Sequence, residues 1–338
     1  MVKKTKHSVS RRKFVKTAAA VTAGAGVTIA GFPAIGKAKR KLKYIAMINK
    51  NTVWGKPYFF LRDEVDRLSG GELKIQYVGG SEVVGGFDAP EAIAKGIFDI
   101  SHSANAYFAG AMPSSISLAS GNASIEKLRT TGVLDAYADV LMKKRGVMLL
   151  GTPLSGVGYV FQVRFRPDNL STFKGKKIRS IPLYDPILES LGAVPVKTSP
   201  SEAYTSMERG VVDGLGWPDI GLLDFKFYEH AKYILSPTFY TLRTTHLLNP
   251  SALKGLPPEL QEVLIKAARS ADKIGAAWAK KQRDSEHAQM SKYGVEIVKL
   301  PPKDAKKFVD LTEEKLWAKI MTQSPTNGKI LKDKFAAL

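Results

Sequence analysis

One arginine in this 338-residue sequence stands out as suited to bind an anion. In Lys177 to Ile181 (KIRSI), basic residues alternate with isoleucine, which is typical of a half-buried strand. The guanidinium of Arg179 is a planar, charged fork that can donate two parallel hydrogen bonds to one carboxylate. Arg179 is therefore a candidate to face an anionic ligand, the alternative being an ordinary surface ion pair.

A second candidate segment follows about 35 residues later, at Asp213 to Pro218 (DGLGWP). The ring of Trp217 offers a flat apolar wall for a ligand, although a core tryptophan would satisfy the same pattern. The carboxylate of Asp213 is a candidate ligand contact. Because two valines precede it and a glycine follows it, Asp213 is also typical of a residue that forms a turn.

The elements around these residues predict a parallel sheet. Residues 174–218 read as strand, helix, strand, helix and strand, and the predicted last strand is Val211 to Gly214. Ser199 and Glu202 form a capping box that starts the second helix, with proline at its first position. Ligands of α/β proteins bind in the crevice at the ends of parallel strands. Arg179 and the DGLGWP segment are therefore expected to face one ligand together.

The first half of the chain repeats the strand and helix order, which predicts another α/β unit. Four of its residues come just after predicted strands or before a helix and are candidate pocket residues. Trp54 could equally be a core residue, and Phe87 could be a hydrophobic staple of the next helix. His102 and Asn105 are candidate polar groups of the pocket.

Two long strands and one long helix indicate two lobes. Gly156 to Phe165 and Phe239 to Leu248 are predicted to cross between the lobes, as hinge strands do. A helix from Leu256 to Tyr293 would be about 54 Å long, longer than one lobe, and would span both. We expect lobe I to comprise residues 39–157 and 249–325, and lobe II residues 158–248. A helix from Asp304 to about Ile320 precedes what reads as a loosely held tail.

The first 38 residues predict an export signal. They contain eight basic and no acidic residues, part of a formal net charge of +20, and Ser10 to Lys16 (SRRKFVK) fits the twin-arginine pattern. An Ala/Gly/Val stretch and a small-residue cleavage site follow. The alternative is a permanent membrane anchor, because the stretch approaches the roughly 18 residues needed to span a bilayer. The chain has no cysteine, which excludes disulfides and a lipid-modified N-terminal cysteine.

Four motifs in order resemble the solute-binding proteins of TRAP (tripartite ATP-independent periplasmic) transporters: FKGKKIRS, LGAVPV, YTSMERGVVDG and FYEHAKYIL. The resemblance implies a two-lobe periplasmic binding protein fold. It also implies a periplasmic receptor that delivers an organic acid to TRAP membrane subunits, with Arg179 binding the carboxylate. Trp217 stands where many relatives have asparagine, and Tyr159 lies near where dicarboxylate and sialic-acid binders tend to have a second arginine. These departures favour a monocarboxylate with an apolar or aromatic body.

Catalysis has little support in the sequence. The five histidines are scattered without metal-ligand spacing, and nucleophile elbows and phosphate loops are absent. The lysines are not massed with aromatic residues as in nucleic-acid binders. We therefore expect no enzyme activity, cofactor, metal site or nucleic-acid partner. Two alternatives stay open: an exported cofactor enzyme that uses the twin-arginine route, and a solute receptor for a sensor kinase.

Overall fold

The computed structural model describes residues 40–338, so the predicted export signal at residues 1–38 lies outside the described residues. The strands are β1 Arg40–Ala46, β2 Leu73–Gly79, β3 Ile100–Ala104, β4 Met148–Gly151, β5 Ser155–Val163, β6 Lys177–Ser180, β7 Val194–Lys197, β8 Gly214–Pro218, β9 Tyr233–Ser236, β10 Phe239–Leu248 and β11 Glu296–Lys299. The helices are α1 Lys56–Ser69, α2 Ala89–Ala94, α3 Ile125–Thr130, α4 Val133–Arg145, α5 Asp185–Ser190, α6 Ala203–Glu208, α7 Pro250–Lys254, α8 Pro258–Lys292, α9 Pro302–Gln323 and α10 Pro325–Ala336.

The strands form a mixed sheet with two halves. Its main path runs β2-β1-β3-β10-β5-β8-β6-β7. The first half contains β1 to β4 and the second contains β5 to β9 with β11. The long strand β10 belongs to both, because its residues 244–248 pair with β3 while Phe239, Thr241 and Arg243 pair with β5. The predicted crossing strands are therefore present as β5 and β10, and they connect the two halves.

The predicted parallel unit around Arg179 is present, with one correction. β6 lies between β7 and β8 and is parallel to both. The prediction of a strand at Val211 to Gly214 was wrong, because β8 begins at Gly214 and runs through Pro218. Asp213 exchanges two hydrogen bonds with Lys177 instead: its carboxylate accepts from the Lys177 N–H, and its own N–H donates to the Lys177 carbonyl. Asp213 thus fixes the start of β8 beside β6.

Helix α8 spans both halves of the sheet. Its 35 residues make it about 52 Å long, as predicted from its apolar spacing. One end packs against α1, and the other reaches the segment after β8, where Glu286 accepts hydrogen bonds from the backbone N–H groups of Gly221 and Leu222. Midway, Gly275 lies so close to the chain before β5 that a β-carbon there would stand 1.7 Å from the Pro153 carbonyl oxygen.

The C-terminal residues are helical, so the expectation of a loosely held tail was wrong. In α10, Leu331 is buried and Phe335 packs edge-on against Trp317 of α9, with ring centroids 5.6 Å apart. The spacing of four residues between Leu331 and Phe335 places both on the helix face that covers α9. Within residues 40–338, no helix combines the length and the apolarity that a membrane crossing requires.

We predict that Gly275→Ala lowers the free energy of unfolding by about 2 kcal/mol, because the new methyl group has no space between α8 and the Pro153 carbonyl. Urea denaturation of the mature chain measures this loss. Gly255→Ala is the matched control: Gly255 has ordinary helical backbone angles, and the nearest atom to its added carbon is 3.4 Å away. Equal stability of the two variants would contradict the close approach of α8.

Candidate ligand-binding site

A small cavity of about 30 Å³ lies where the two halves of the sheet meet. It is lined from the first half by Met47, Ile48, Trp54, Ala104 and Tyr107, from the second half by Tyr159, Arg179, Ile181, Tyr184, Trp217 and Pro218, and from β10 by Leu242 and Thr244. Four of the residues predicted from the sequence therefore come together here: Arg179, Trp217, Tyr159 and Trp54. The lining comes from strands of both halves of the sheet and from the segments that follow them, namely β1, β3, β5, β6, β8 and β10.

Arg179 is a buried cation without a carboxylate partner among residues 40–338. It is the third residue of β6, and only 2% of its surface is exposed. Its Nη1 donates to the Gly216 carbonyl at 3.2 Å and its Nη2 to the Thr198 carbonyl at 3.0 Å, while Nε has no partner. Burial lowers the pKa of Arg179 from its usual value. The charge is thus only partly compensated by the protein.

Two tryptophans stand beside this cation. The Arg179 guanidinium lies over the Trp217 ring, 5.0 Å from its centroid, an arrangement in which the electron-rich ring face stabilises a cation. Trp54 meets Trp217 edge to face at 6.3 Å. The backbone of Gly221, with a φ of +78°, comes so close to Trp54 that a β-carbon would lie 2.9 Å from the indole nitrogen. The positions of both rings are therefore fixed by packing.

Three tyrosines complete the polar lining, and two of them, Tyr107 and Tyr184, were missed from the sequence. The rings of Tyr159 and Tyr184 are 5.5 Å apart, and both residues are buried. Burial raises the pKa of Tyr107 to about 12 and raises the pKa values of Tyr159 and Tyr184 as well. Tyr184 follows the KIRSI strand closely, and Tyr107 follows β3. The expectation that ligands bind at the ends of strands, which selected Arg179, could therefore have found both tyrosines.

A loop of residues 219–225, which we name the latch loop, connects the two sides of the cavity. It follows β8 directly. Its Asp224 carboxylate accepts a hydrogen bond of 2.7 Å from the backbone N–H of Val53, the neighbour of Trp54. At the other end of the loop, His287 of α8 lies 2.6 Å from the Asp219 carboxylate. The Asp224 carboxylate is partly shielded from water, and this burial raises its pKa.

Comparison with known proteins decides the family of this chain. The family described as "Bacterial extracellular solute-binding protein, family 7" matches residues 45–324. The chain belongs to this family. It is a family of solute receptors and not of enzymes. The predicted family and the predicted absence of enzyme activity are both confirmed.

Individual relatives and structures agree with this assignment. The solute-binding protein is 25% identical over 261 residues to the uncharacterized protein YiiZ of Salmonella typhimurium, covering 72% of this chain and 77% of that one. It is 24% identical over 161 residues to the 2,3-diketo-L-gulonate-binding periplasmic protein YiaO of Escherichia coli, covering 47% and 48%.

A crystal structure confirms the predicted two-lobe fold. The structure is that of a TRAP periplasmic solute binding protein from Desulfovibrio salexigens with bound orotic acid. It superposes with a TM-score of 0.78 at 19% identity, covering 88% of this chain and 99% of that one. The fold of this solute-binding protein is therefore two lobes with connecting strands and a long helix across both.

The other four predicted site residues lie away from the cavity lining. Phe87 is 42% exposed and packs on the outer side of Tyr107, with ring centroids 4.6 Å apart. His102 is buried in β3, where its Nδ1 lies 3.2 Å from the Trp54 carbonyl oxygen and burial lowers its pKa to about 3. Asn105 donates to the Arg243 carbonyl. The Asp213 carboxylate accepts a hydrogen bond from the backbone N–H of Lys177. The structure gives these residues supporting contacts around the cavity.

We predict that Asp224→Ala weakens solute binding about tenfold, because it removes a charge-assisted hydrogen bond that holds the two sides of the cavity together. Isothermal titration calorimetry with the bound solute measures the effect. Asp224→Asn keeps an oxygen that accepts from Val53 and should stay within about threefold of the wild type. Wild-type affinity in the alanine variant would show that the latch loop does not contribute to closure.

Proposed function

We propose that this protein is a periplasmic receptor that captures an organic acid by its carboxylate and delivers it to a TRAP-type membrane transporter. The observation that carries the proposal is the buried guanidinium of Arg179, which lines a cavity shared by both lobes and has no carboxylate partner among residues 40–338. A buried charge is costly unless it is paired. A bound carboxylate would supply the missing charge. The family relatives named above bind orotic acid and 2,3-diketo-L-gulonate.

The proposed mechanism is closure of two lobes, residues 39–157 with 249–325 and residues 158–248, around the acid. A solute that touches both lobes favours the closed state by its differential affinity for that state. The carboxylate pairs with Arg179, and Trp217, Tyr159 and Trp54 enclose the rest of the solute. A charge-assisted pair of this kind contributes about 2–5 kcal/mol in a closed cleft. The membrane subunits then recognise the closed receptor.

The proposal includes export through the twin-arginine pathway. The SRRKFVK motif and the small-residue cleavage site in the first 38 residues support it. After cleavage the mature receptor would have no stable membrane anchor and would work in the periplasm. Its partners are the acid and the TRAP membrane subunits, with no role for nucleic acid.

We predict that Arg179→Ala weakens binding of the cognate acid by at least about 30-fold, the factor that corresponds to 2 kcal/mol. Without solute, the same variant should melt at the wild-type temperature or above it, because it removes a buried cation that the protein only partly compensates. Calorimetric titration and thermal unfolding give the two values.

Arg166→Ala is the matched control for this test. Arg166 belongs to the same lobe but is half-exposed and forms ion pairs with Asp168 and Glu296 at the surface. Its loss should leave solute affinity within about twofold of the wild type. If Arg179→Ala behaves like Arg166→Ala, Arg179 does not bind the carboxylate.

We predict that replacing Arg11 and Arg12 together by lysine stops export, because the pathway recognises the arginine pair itself. Cell fractionation and immunoblotting should then find the precursor in the cytoplasm. Replacing Lys3 and Lys4 by arginine keeps the charge and leaves the pair intact, so this control should still reach the periplasm. Normal export of the double-lysine variant would contradict the twin-arginine assignment.

A further inference from the structure

Two tyrosine rings lie stacked at the protein surface, outside the ligand-binding site. Tyr228 lies three residues after the latch loop, and Tyr293 directly follows α8. Their rings are parallel within 11°, and the ring centroids are 4.2 Å apart. The Tyr293 carbonyl oxygen accepts a hydrogen bond of 2.8 Å from the Lys232 ammonium group. The pair is therefore held in position while 51% of the Tyr293 surface stays exposed to a partner.

Three exposed lysines lie next to this pair. Lys226 is two residues before Tyr228, Lys292 immediately precedes Tyr293, and Lys232 makes the contact just described. Among residues 40–338, the ammonium groups of Lys226 and Lys292 have no hydrogen-bond or ion-pair partner. We name Tyr228, Tyr293, Lys226, Lys232 and Lys292 the tyrosine–lysine patch.

The acidic residues nearest to the tyrosine–lysine patch along the chain already have other partners. Glu229 accepts a hydrogen bond from the Tyr204 hydroxyl, and Glu296 forms an ion pair with Arg166. Asp224 accepts the hydrogen bond that joins the latch loop to the other side of the cavity. The charges of this surface that have no partner are therefore positive. Two copies of the patch would repel each other, whereas an acidic surface of another protein would be attracted.

Aromatic contacts connect the patch to the cavity. Trp217, which lines the cavity, meets Phe225 and Phe227 edge to face, with centroid distances of 5.0 and 5.1 Å. Phe225 and Phe227 stack on each other, and Tyr228 is the next residue of the chain. Helix α8, at whose end Tyr293 lies, binds the backbone of the latch loop through Glu286. The patch is therefore built on the latch-loop segment and on α8, the two elements that join the sides of the cavity.

We infer that the tyrosine–lysine patch is the surface by which the receptor docks on an acidic region of the TRAP membrane subunits. This inference rests on the proposed function. The stacked tyrosines supply the aromatic contact area that is enriched at the centres of protein interfaces. The lysines beside them raise the rate at which an acidic partner is met. Because the patch continues from the latch loop, a partner bound there contacts the segment that closes the cavity.

Solute uptake by cells that produce a charge-reversed receptor tests this inference. Lys226→Glu combined with Lys292→Glu replaces both cations that lack a partner by anions. Uptake of the labelled acid that mass spectrometry identifies in the purified receptor should fall at least about tenfold, because an acidic partner is now repelled. Calorimetric titration should find solute affinity within about twofold of the wild type, since neither lysine lines the cavity and exposed charges are screened.

Lys143→Glu combined with Lys144→Glu is the matched control. Both lysines are exposed on α4, outside the patch, and the change in net charge is the same. This variant should keep wild-type uptake.

Photo-crosslinking in intact cells locates the contact independently. Replacing Tyr293 by p-benzoylphenylalanine keeps an aromatic ring at an exposed position, so the receptor should still fold. After irradiation it should form an adduct with an epitope-tagged TRAP membrane subunit. The same replacement of Ile265, which is 36% exposed, is the control. Ile265 lies about 42 Å from Tyr293 along α8 and should give no adduct with the subunit.

The outcomes separate this inference from the proposed function. Wild-type uptake by the Lys226 and Lys292 variant, or an adduct from position 265 but not from position 293, would overturn the inference and leave the organic-acid receptor in place. Loss of solute affinity in that variant would also overturn it, because the lysines would then act on the cavity. So would patch-dependent binding of the receptor to phosphatidylglycerol vesicles that lack the subunits, which would indicate a lipid partner. If the wild-type receptor supports no uptake of the acid, the proposed function fails as well.

Discussion

A guanidinium group buried without a carboxylate partner among the described residues is the constraint on which the site depends. Removing a cation from water is costly, and two carbonyl oxygens and the face of Trp217 recover only part of the cost for Arg179. A purely structural role would be fulfilled at lower cost by an apolar side chain of similar size. In the proposed function, an anion in the adjacent cavity supplies the missing charge. The proposal thus links the stability of the closed protein and its affinity for a solute through this one charge.

The rest of the fold places this charge where two lobes meet. Pairing of β6 with β8 sets Arg179 beside Leu215 and brings Trp217 within reach of its guanidinium. The crossing strands β5 and β10 carry lining residues of their own and connect the lobes. Helix α8 spans both lobes and, through Glu286, holds the backbone of the latch loop. Movement of one lobe thus changes the environment of Arg179.

Much of this arrangement could be predicted from local sequence patterns. Alternation in KIRSI predicts the strand β6, and uninterrupted apolar spacing predicts α8, because both depend on periodicity within one element. β8 could not be predicted in the same way. Its glycine-rich sequence is typical of a loop, and it is a strand because β5 and β6 pair with it on both sides. The C-terminal helix α10 was missed because its stability depends on packing against α9.

The expectation that ligands bind at strand ends found the edge of the sheet where the cavity lies, but only some of the side chains that line it. It selected His102, which the structure buries in β3, and it overlooked Tyr107, five residues further on. Which side chain faces a cleft depends on how two distant segments meet, and a single sequence does not specify that contact. Asn105 illustrates the same limit, since its partners, the Arg243 carbonyl and Tyr137, come from remote parts of the chain.

A crystal structure of the mature protein with its co-purified solute tests the central claim most directly. We expect a carboxylate whose two oxygens both lie within about 3.2 Å of the Arg179 guanidinium nitrogens, inside the closed cavity. A solute whose negative group lies elsewhere, or an Arg179 side chain that points away from the cleft into water, would contradict the account.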